Sequence, residues 1–370
     1  MNWIQELPHN IRTFVDQMHA LPDFPRHLAK FAQVLRERQR DKNKLSEELA
    51  QRAWALAPQD YRVRVAAEWA VRRRVPRWHF LLVRDWRRNA VYEQALRHFV
   101  TPDVTVLEIG TGTGILAMMA ARAGAKHVYT CEMEPLVAEA ARENIARNGF
   151  ADRVTVIAKK STNLVIGADL PRCADLLVSE IVDNGLLGEY VLPILEDAKA
   201  RLLRPDARIV PAQIALRGAL VGGASWTEQC YMEEVCGLDL SAFNRLAPPT
   251  VAPRITDQTL DDALSDEVDL VCFDFLAQSQ FPKARTVVTL QARRDGIAYG
   301  VLHWLWLGFS DTIQFDNKPP LQSVWNPILH VFSQPLRLRV GDSVPLTVAH
   351  DRTSVMIWPT VGSDKSNHTA

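Results

Sequence analysis

Hydrophobic and polar positions change period twice along the 370 residues, dividing the chain into three textures. From residue 1 to about 95 apolar residues recur at helical spacing, as in LAKFAQVLRERQR and LSEELAQRAWALAP, the second with Ser46 placed to cap it. The stretch Leu45 to Trp69, with Ala50, Ala53 and Ala66–Ala67, reads as one tetratricopeptide-like helical hairpin without a second repeat of that quality. From Val104 to Val210 short β-rich runs (VTVLEIG, KHVYTCE, RVTVIAK, ADLLVSEI, DARIV) alternate with helical ones (GILAMMAARAGA, EPLVAEAARENIARNG, GEYVLPILEDAKARLL). That alternation predicts an α/β unit: an open parallel sheet, helices on both faces, ligand at the carboxyl ends of its strands. From Pro211 to about Pro359 the helix signal fades into short strands, among them GIAYGVLHWLWLGF, ILHVFS, LRLRVG and VPLTVAH, which predict a β-barrel or sandwich. ASWTEQCYMEEVCGLDLSAFNRL reads as a helical insertion, and the polar tail 361–370 as disordered. The expected organisation is therefore 1–75 helical, 76–210 Rossmann-like, 211–360 β-barrel with an arm at about 224–246, and a tail.

Composition narrows the class. Net charge is zero and 47% of residues are hydrophobic, as in a soluble globular protein. No apolar run reaches 18 residues, and the N-terminus lacks a signal-peptide pattern, so neither a membrane span nor export is expected. Five cysteines without a CxxC pair argue against a disulfide framework and a zinc site; no metal and a cytoplasmic setting are expected. Residues 1–100 carry 19 Lys/Arg against 11 Asp/Glu, with RRRVPR at 72–77. This reads as a solvated face rather than a nucleic-acid patch, since no aromatic ladder accompanies it.

Two motifs carry chemistry. In Val106–Gly114 (VLEIGTGTG) a strand ends at Ile109, glycines turn the chain, and a helix begins near Ile115. Gly110, Gly112 and Gly114 suit a tight turn under a ligand. Their spacing departs from the dinucleotide fingerprint. Glu132, ending the next strand, is placed to accept from both hydroxyls of a ribose; together these favour S-adenosylmethionine. The second motif, SEIVDNGLLGE, follows the fourth strand and puts Glu180 and Glu189 nine residues apart around a glycine-containing turn. Two facing carboxylates suit a planar, permanently charged guanidinium; Glu189 at a helix start would also suit the dipole.

From Pro76 to Trp358 the chain resembles the protein arginine N-methyltransferases. VLEIGTGTGIL, YTCE and SEIVDNGLLGE match their glycine turn, ribose acid and paired-glutamate loop. PRWHFLLVRDWRRNAVYEQAL matches their cofactor-closing helix, EEVCGLDLS their dimerisation arm, and SVWNPILHVF their pocket loop. The wording is most similar to the seventh and ninth members of the human series, and bacterial relatives acting on free L-arginine share the layout. The resemblance implies S-adenosyl-L-methionine as methyl donor, with Arg88 on its carboxylate, His79 near its methionine moiety, and Ser161 and Thr162 beside its adenine. It implies Glu180 and Glu189 gripping the guanidinium, Trp325 walling the pocket, and a homodimer. The acceptor is expected to be arginine in a protein, with free L-arginine as the alternative; membrane and nucleic-acid partners are not expected. Three departures bear on the number and symmetry of methyl groups. Ser323-Val324-Trp325 replaces Thr-His-Trp, so the histidine partner of an aspartate matching Asp85 is missing. The paired tyrosines upstream are absent, and Leu82 stands where asymmetric dimethylating members carry a methionine.

Overall fold

The structure, a computed structural model, describes residues 2–38, 43–261 and 263–360. The expected tail at 361–370 lies outside them. The polypeptide separates into two compact units, Met1–Leu81 and Leu82–Ala370.

The first unit is helical: α1 (His9–His19), α2 (Phe24–Arg38), α3 (Asn43–Leu56), α4 (Tyr61–Arg74) and all but the last residue of α5 (Trp78–Leu82). The hairpin expected over Leu45–Trp69 is α3 and α4, with α2 packed on both. Ala29, Ala32, Ala50, Ala53, Ala67 and Ala70 are fully buried; short side chains let the helices approach closely. Ser46 does not cap α3. The helix is already under way at Asn43, and Ser46 is buried within it. The cap that does form is Asp60, which accepts from Arg62 N at the start of α4 and pairs with Arg26 at 2.6 Å. In the basic run, Arg72 is exposed and pairs with Glu68 one turn back, as a solvated helix face does.

The second unit opens with α6 (Trp86–Phe99) and alternates β1 (Thr105–Ile109), α7 (Ile115–Arg122), β2 (His127–Cys131), α8 (Pro135–Arg147), β3 (Val154–Ile157), β4 (Ala174–Ser179), α9 (Val191–Arg201) and β5 (Leu203–Val210). The sheet order is β3-β2-β1-β4-β5, all parallel. β1 and β4 are neighbours with Ile109 opposite Ser179, so the chain leaves both strands at the switch point where ligands collect. Gly110 and Glu180 are the next residues. This placement follows from topology alone.

β5 leads into β6 (Gln213–Gly222), α10 (Ala224–Cys230), β7 (Glu234–Val235), β8 (Leu238–Asp239), β9 (Thr250–Val251), β10 (Val268–Asp274), β11 (Ala284–Gln291), β12 (Gly296–Gly308), β13 (Gln314–Asp316), β14 (Ile328–Leu338), β15 (Ser343–His350) and β16 (Val355–Pro359). They form a six-stranded sheet, β10-β6-β12-β14-β9 with β13 on β12, and a three-stranded one, β11-β15-β16. One apolar core runs from the parallel sheet into these strands and takes in Leu107, Val178, Ile209, Ile214, Leu305 and Phe309. ILHVFS and LRLRVG, read as two strands, are the single strand β14, which absorbs Gln334-Pro335 where its register on β12 shifts. The insertion is helical only at its ends, in α10 and a short 3-10 turn at Ser241–Leu246. Between them EEVCGLDL makes the hairpin β7–β8, turned by Cys236 and Gly237 at φ 55° and 76°. Two successive positive φ values are hairpin-turn geometry that no helix admits.

Candidate active site

The glycine turn does two different jobs. Gly110, Gly112 and Gly114 all have positive φ (88°, 51° and 84°). A Cβ on Gly110 would stand 3.1 Å from the Ile181 side chain of the glutamate loop, and one on Gly114 3.1 Å from Ile145 of α8. A Cβ on Gly112 would meet nothing within 4 Å. Two glycines thus permit close packing, and the third faces open space. Glu132, at the end of β2, accepts from Gly112 N at 3.1 Å and from Glu134 N at 3.0 Å, which aims its carboxylate at the turn. Ser161 and Thr162 form a short turn beyond β3, on the same edge of the sheet, and their carbonyls accept from Arg201. His79 belongs to the other unit, on α5, with its ring stacked on Trp78.

Glu180 and Arg88 form a buried ion pair at 2.6 Å, their side chains 5% and 3% exposed. The rest of Arg88 is specified too. Its backbone N–H donates to Asp85, which caps α6; one Nη donates to Asn89 Oδ1; its Nε is buried and has no hydrogen-bond partner among the described residues. Tyr92, one turn on, pins α6 to the sheet by donating to Ser179 O at 3.0 Å. The arginine therefore arrives beside Glu180 because α6 is fixed to the end of the strand that carries the glutamate.

Between the glutamates the loop wraps around Asp183, which accepts from Gly188 N at 2.9 Å. A Cβ on Gly188 would fall 2.2 Å from the Asp183 carboxylate, so a larger residue there would push that carboxylate away from the amide it bonds. The barrel holds the loop from outside. Trp325 Nε1 donates to Val182 O at 3.0 Å, and Asn326 N donates to Asn184 Oδ1 at 3.0 Å. Trp325 is buried against Phe315, so this indole braces the glutamate loop. Asp85 accepts from the Ser323 hydroxyl at 2.5 Å and from Val324 N at 3.2 Å. Val324, at the position where the resemblance would put a histidine, thus gives the aspartate only its backbone N–H, and the neighbouring Ser323 supplies the side-chain donor.

Electrostatics separates the site from a structural cluster. Burial pushes Glu180 up to about 7 despite the neighbouring Arg88, with Asp85 adding to the rise. Burial pushes Glu189 up to about 8, with Glu180, then Asp183 and Glu132, adding to it. Among the described residues Glu189 has no hydrogen-bond or ion-pair partner. Of the two raised carboxyls, Glu180 has the Arg88 guanidinium and the half-buried Glu189 has no such partner, an imbalance that one further cation would answer.

A buried acid that sequence reasoning passed over lies in the middle of β1. Glu108 accepts from the Thr130 hydroxyl at 2.5 Å, and Thr130 is bonded to Thr111. Burial raises Glu108 to about 8. An acid inside an otherwise apolar strand was the available signal.

Residues 92–211 match the family described as Ribosomal protein L11 methyltransferase (PrmA). An Arginine N(omega)-methyltransferase of Streptomyces achromogenes subsp. streptozoticus is 38% identical over 276 residues, 74% of this chain and 76% of that protein. The chain belongs to the arginine N-methyltransferase family. It is an S-adenosylmethionine-dependent enzyme. Protein arginine N-methyltransferase 7 of Drosophila melanogaster is 30% identical over 321 residues, covering 74% of this chain and 46% of that longer protein. The fold recurs in the Trypanosoma brucei PRMT1 enzyme-prozyme heterotetrameric complex with AdoHcy (TM-score 0.64, 24% identity, 73% of this chain and 86% of that one). It recurs also in Arabidopsis thaliana Protein Arginine Methyltransferase 10 (TM-score 0.60, 20% identity, 72% and 86%).

Proposed function

We propose that this family member methylates a terminal guanidino nitrogen of arginine held between Glu180 and Glu189, and that free L-arginine is its acceptor. The observation that carries the grip is the missing cation: the buried Glu180 and the half-buried Glu189, raised to about 7 and about 8, against the single guanidinium of Arg88. An acceptor guanidinium supplies the second partner, its planar fork of N–H donors suited to carboxylate oxygens. The Streptomyces relative, matched over about three quarters of both chains, supports free arginine as acceptor. The Drosophila relative supports a protein-bound arginine, but the chain spans less than half of it.

The residues fit the methyl donor. The unpartnered buried Nε of Arg88 is a donor for its carboxylate, the space over Gly112 admits its backbone-hugging part, and Glu132 faces its ribose. Ser161 and Thr162 lie on the edge where its adenine would rest. S-adenosylmethionine supplies an electrophilic methyl on a sulfonium. Glu180 and Glu189 draw the guanidinium charge toward two of its nitrogens and leave electron density on the third. They also fix its direction, which is most of what such a transfer needs. Glu189, ionised while it grips the guanidinium, is then placed to take the proton that the methylated nitrogen sheds.

A homodimer through the arm is part of the proposal. Leu238, Phe243 and Leu246 are more than 60% exposed there, and an apolar face of this kind suits a second copy. Sedimentation of Leu238→Asp/Phe243→Asp against the parent tests it. A cytoplasmic setting is consistent with five free cysteines, and no helix among the described residues is long and apolar enough to cross a membrane.

The deciding experiment supplies labelled S-adenosylmethionine with free L-arginine, an arginine-rich peptide or a cell extract. Label in ω-N-methylarginine from the free amino acid is the expected result. Label in peptide or extract alone overturns the free-arginine reading.

A further inference from the structure

We propose that His303 and His330, a buried histidine pair behind the glutamate loop, position that loop for the acceptor without touching the reacting atoms. His303 lies on β12 and His330 on the adjacent β14. His303 Nε2 is 3.2 Å from Asn184 O, and His303 Nδ1 is 3.0 Å from His330 Nε2.

The protons in this chain are dictated by chemistry. A carbonyl oxygen only accepts, so His303 must carry its proton on Nε2 and donate to Asn184. Its Nδ1 is then a bare acceptor, and His330 must donate to it from Nε2. Burial drives both rings down, His303 to about 4 and His330 to about 3, so both stay neutral and the tautomers hold at physiological pH. Imidazoles as deeply buried as His303 and His330 are costly unless bonded, and an aliphatic side chain would fill the same space. The bonds run outward from the barrel and end on the loop.

The loop has reason to need them. Leu186 and Tyr190 sit at φ 76° and 63°, a left-handed conformation that strains non-glycine residues and persists only where the surroundings enforce it. Asn184 lies between the two glutamates. Its carbonyl takes the histidine, its side chain takes Asn326 N–H, and Val182 O takes Trp325. Three donors from the barrel hold two loop residues in place, and His303 is the one whose own proton position is fixed by a second ring.

The inference deepens the guanidinium reading, and its kinetic arm rests on that reading. The test compares His303→Leu, His330→Leu and His330→Gln with the parent. Loss of a hydrogen bond to a buried carbonyl predicts a fall of about tenfold or more in acceptor kcat/KM for His303→Leu, carried mainly in KM. S-adenosylhomocysteine affinity should stay within about twofold, because the cofactor residues are untouched. Hydrogen exchange at amides 184–188 should speed up. His330→Gln keeps an N–H for His303 and should retain most activity, whereas His330→Leu should follow His303→Leu at smaller size. Imidazole nitrogen spectra of the parent should show both rings as neutral Nε2–H tautomers. A folded His303→Leu with parental loop exchange and parental kcat/KM overturns the proposal, and so does a parent His303 protonated on Nδ1. If His303→Leu does not fold, His330→Leu and the spectra still decide. If the parent methylates no arginine acceptor, the guanidinium reading falls, while loop exchange still decides the role of the pair.

Discussion

If an acceptor guanidinium completes the charge of the glutamate pair, its binding must expel protons. Taking Glu180 at about 7 and Glu189 at about 8 in the free site, the pair holds roughly 1.4 protons at pH 7 and roughly 0.3 at pH 8.5. Only their sum is observable, because the groups lie close enough to titrate together. The guanidinium does not titrate in this range, so the release comes from the protein. Isothermal calorimetry with arginine, in buffers of different ionisation enthalpy and with S-adenosylhomocysteine bound, counts these protons; its thioether adds no charge at the methyl position. Arginine affinity should rise by about 50-fold from pH 6 to 7 and about tenfold from pH 7 to 8, then level off. Glu189→Gln should remove one of the two steps. The reasoning is refuted if binding releases no protons at pH 7 or if affinity is flat from pH 6 to 8.5.

Three further outcomes follow from the same geometry. Gly188→Ala drives a Cβ into the Asp183 carboxylate and should lower acceptor kcat/KM about tenfold with cofactor affinity intact; Gly185→Ala, 3.7 Å from the same side chain, is the control and should cost little. Thermal stability without ligand should fall as pH rises from 6.5 to 8.5. Glu108, Glu180 and Glu189 are raised, so the folded chain keeps protons that the unfolded chain has lost above about 4.5, and this advantage disappears through about 8. The depressed histidines His79, His127, His303, His330 and His350 work the other way only below about 6.5. A melting temperature that climbs across this window contradicts the account. Trp325→Phe leaves Val182 O without its donor and should cost about 1–3 kcal/mol in denaturant unfolding.

What was legible in the sequence was local. The alternation from Val104 to Val210, the end of β1 at Ile109 and the start of α7 at Ile115 are all readable from period and glycine spacing. The two glutamates stand out in the sequence as well, by a nine-residue interval around a glycine-containing turn that permits a fold-back without dictating it. Pairings across long separations were not legible. Arg88 meets Glu180 across 92 residues, and Asp85 meets Ser323 across 238. Arg88 was expected on the cofactor alone; the structure gives it two tasks, counter-ion to Glu180 and a free Nε. The arm was misread because EEVCGLDL has enough polar and apolar mixing to pass for a helix, while the deciding positive φ values at Cys236 and Gly237 leave no periodic trace. Ser46 shows the converse. A residue with capping chemistry is buried inside α3, because tertiary packing outweighs a local preference.

The Arg88 pairing also decides which glutamate tests the central claim. Glu180→Gln would free Arg88 and disturb the donor site as well, whereas Glu189 has no partner among the described residues to release. The measurement is transfer of label from S-adenosylmethionine to L-arginine by the parent and by Glu189→Gln, alongside S-adenosylhomocysteine affinity. The account predicts ω-N-methylarginine from the parent, a loss of about a hundredfold or more in kcat/KM for the variant, and cofactor affinity within about twofold. A Glu189→Gln variant that methylates arginine at the parental rate would contradict it.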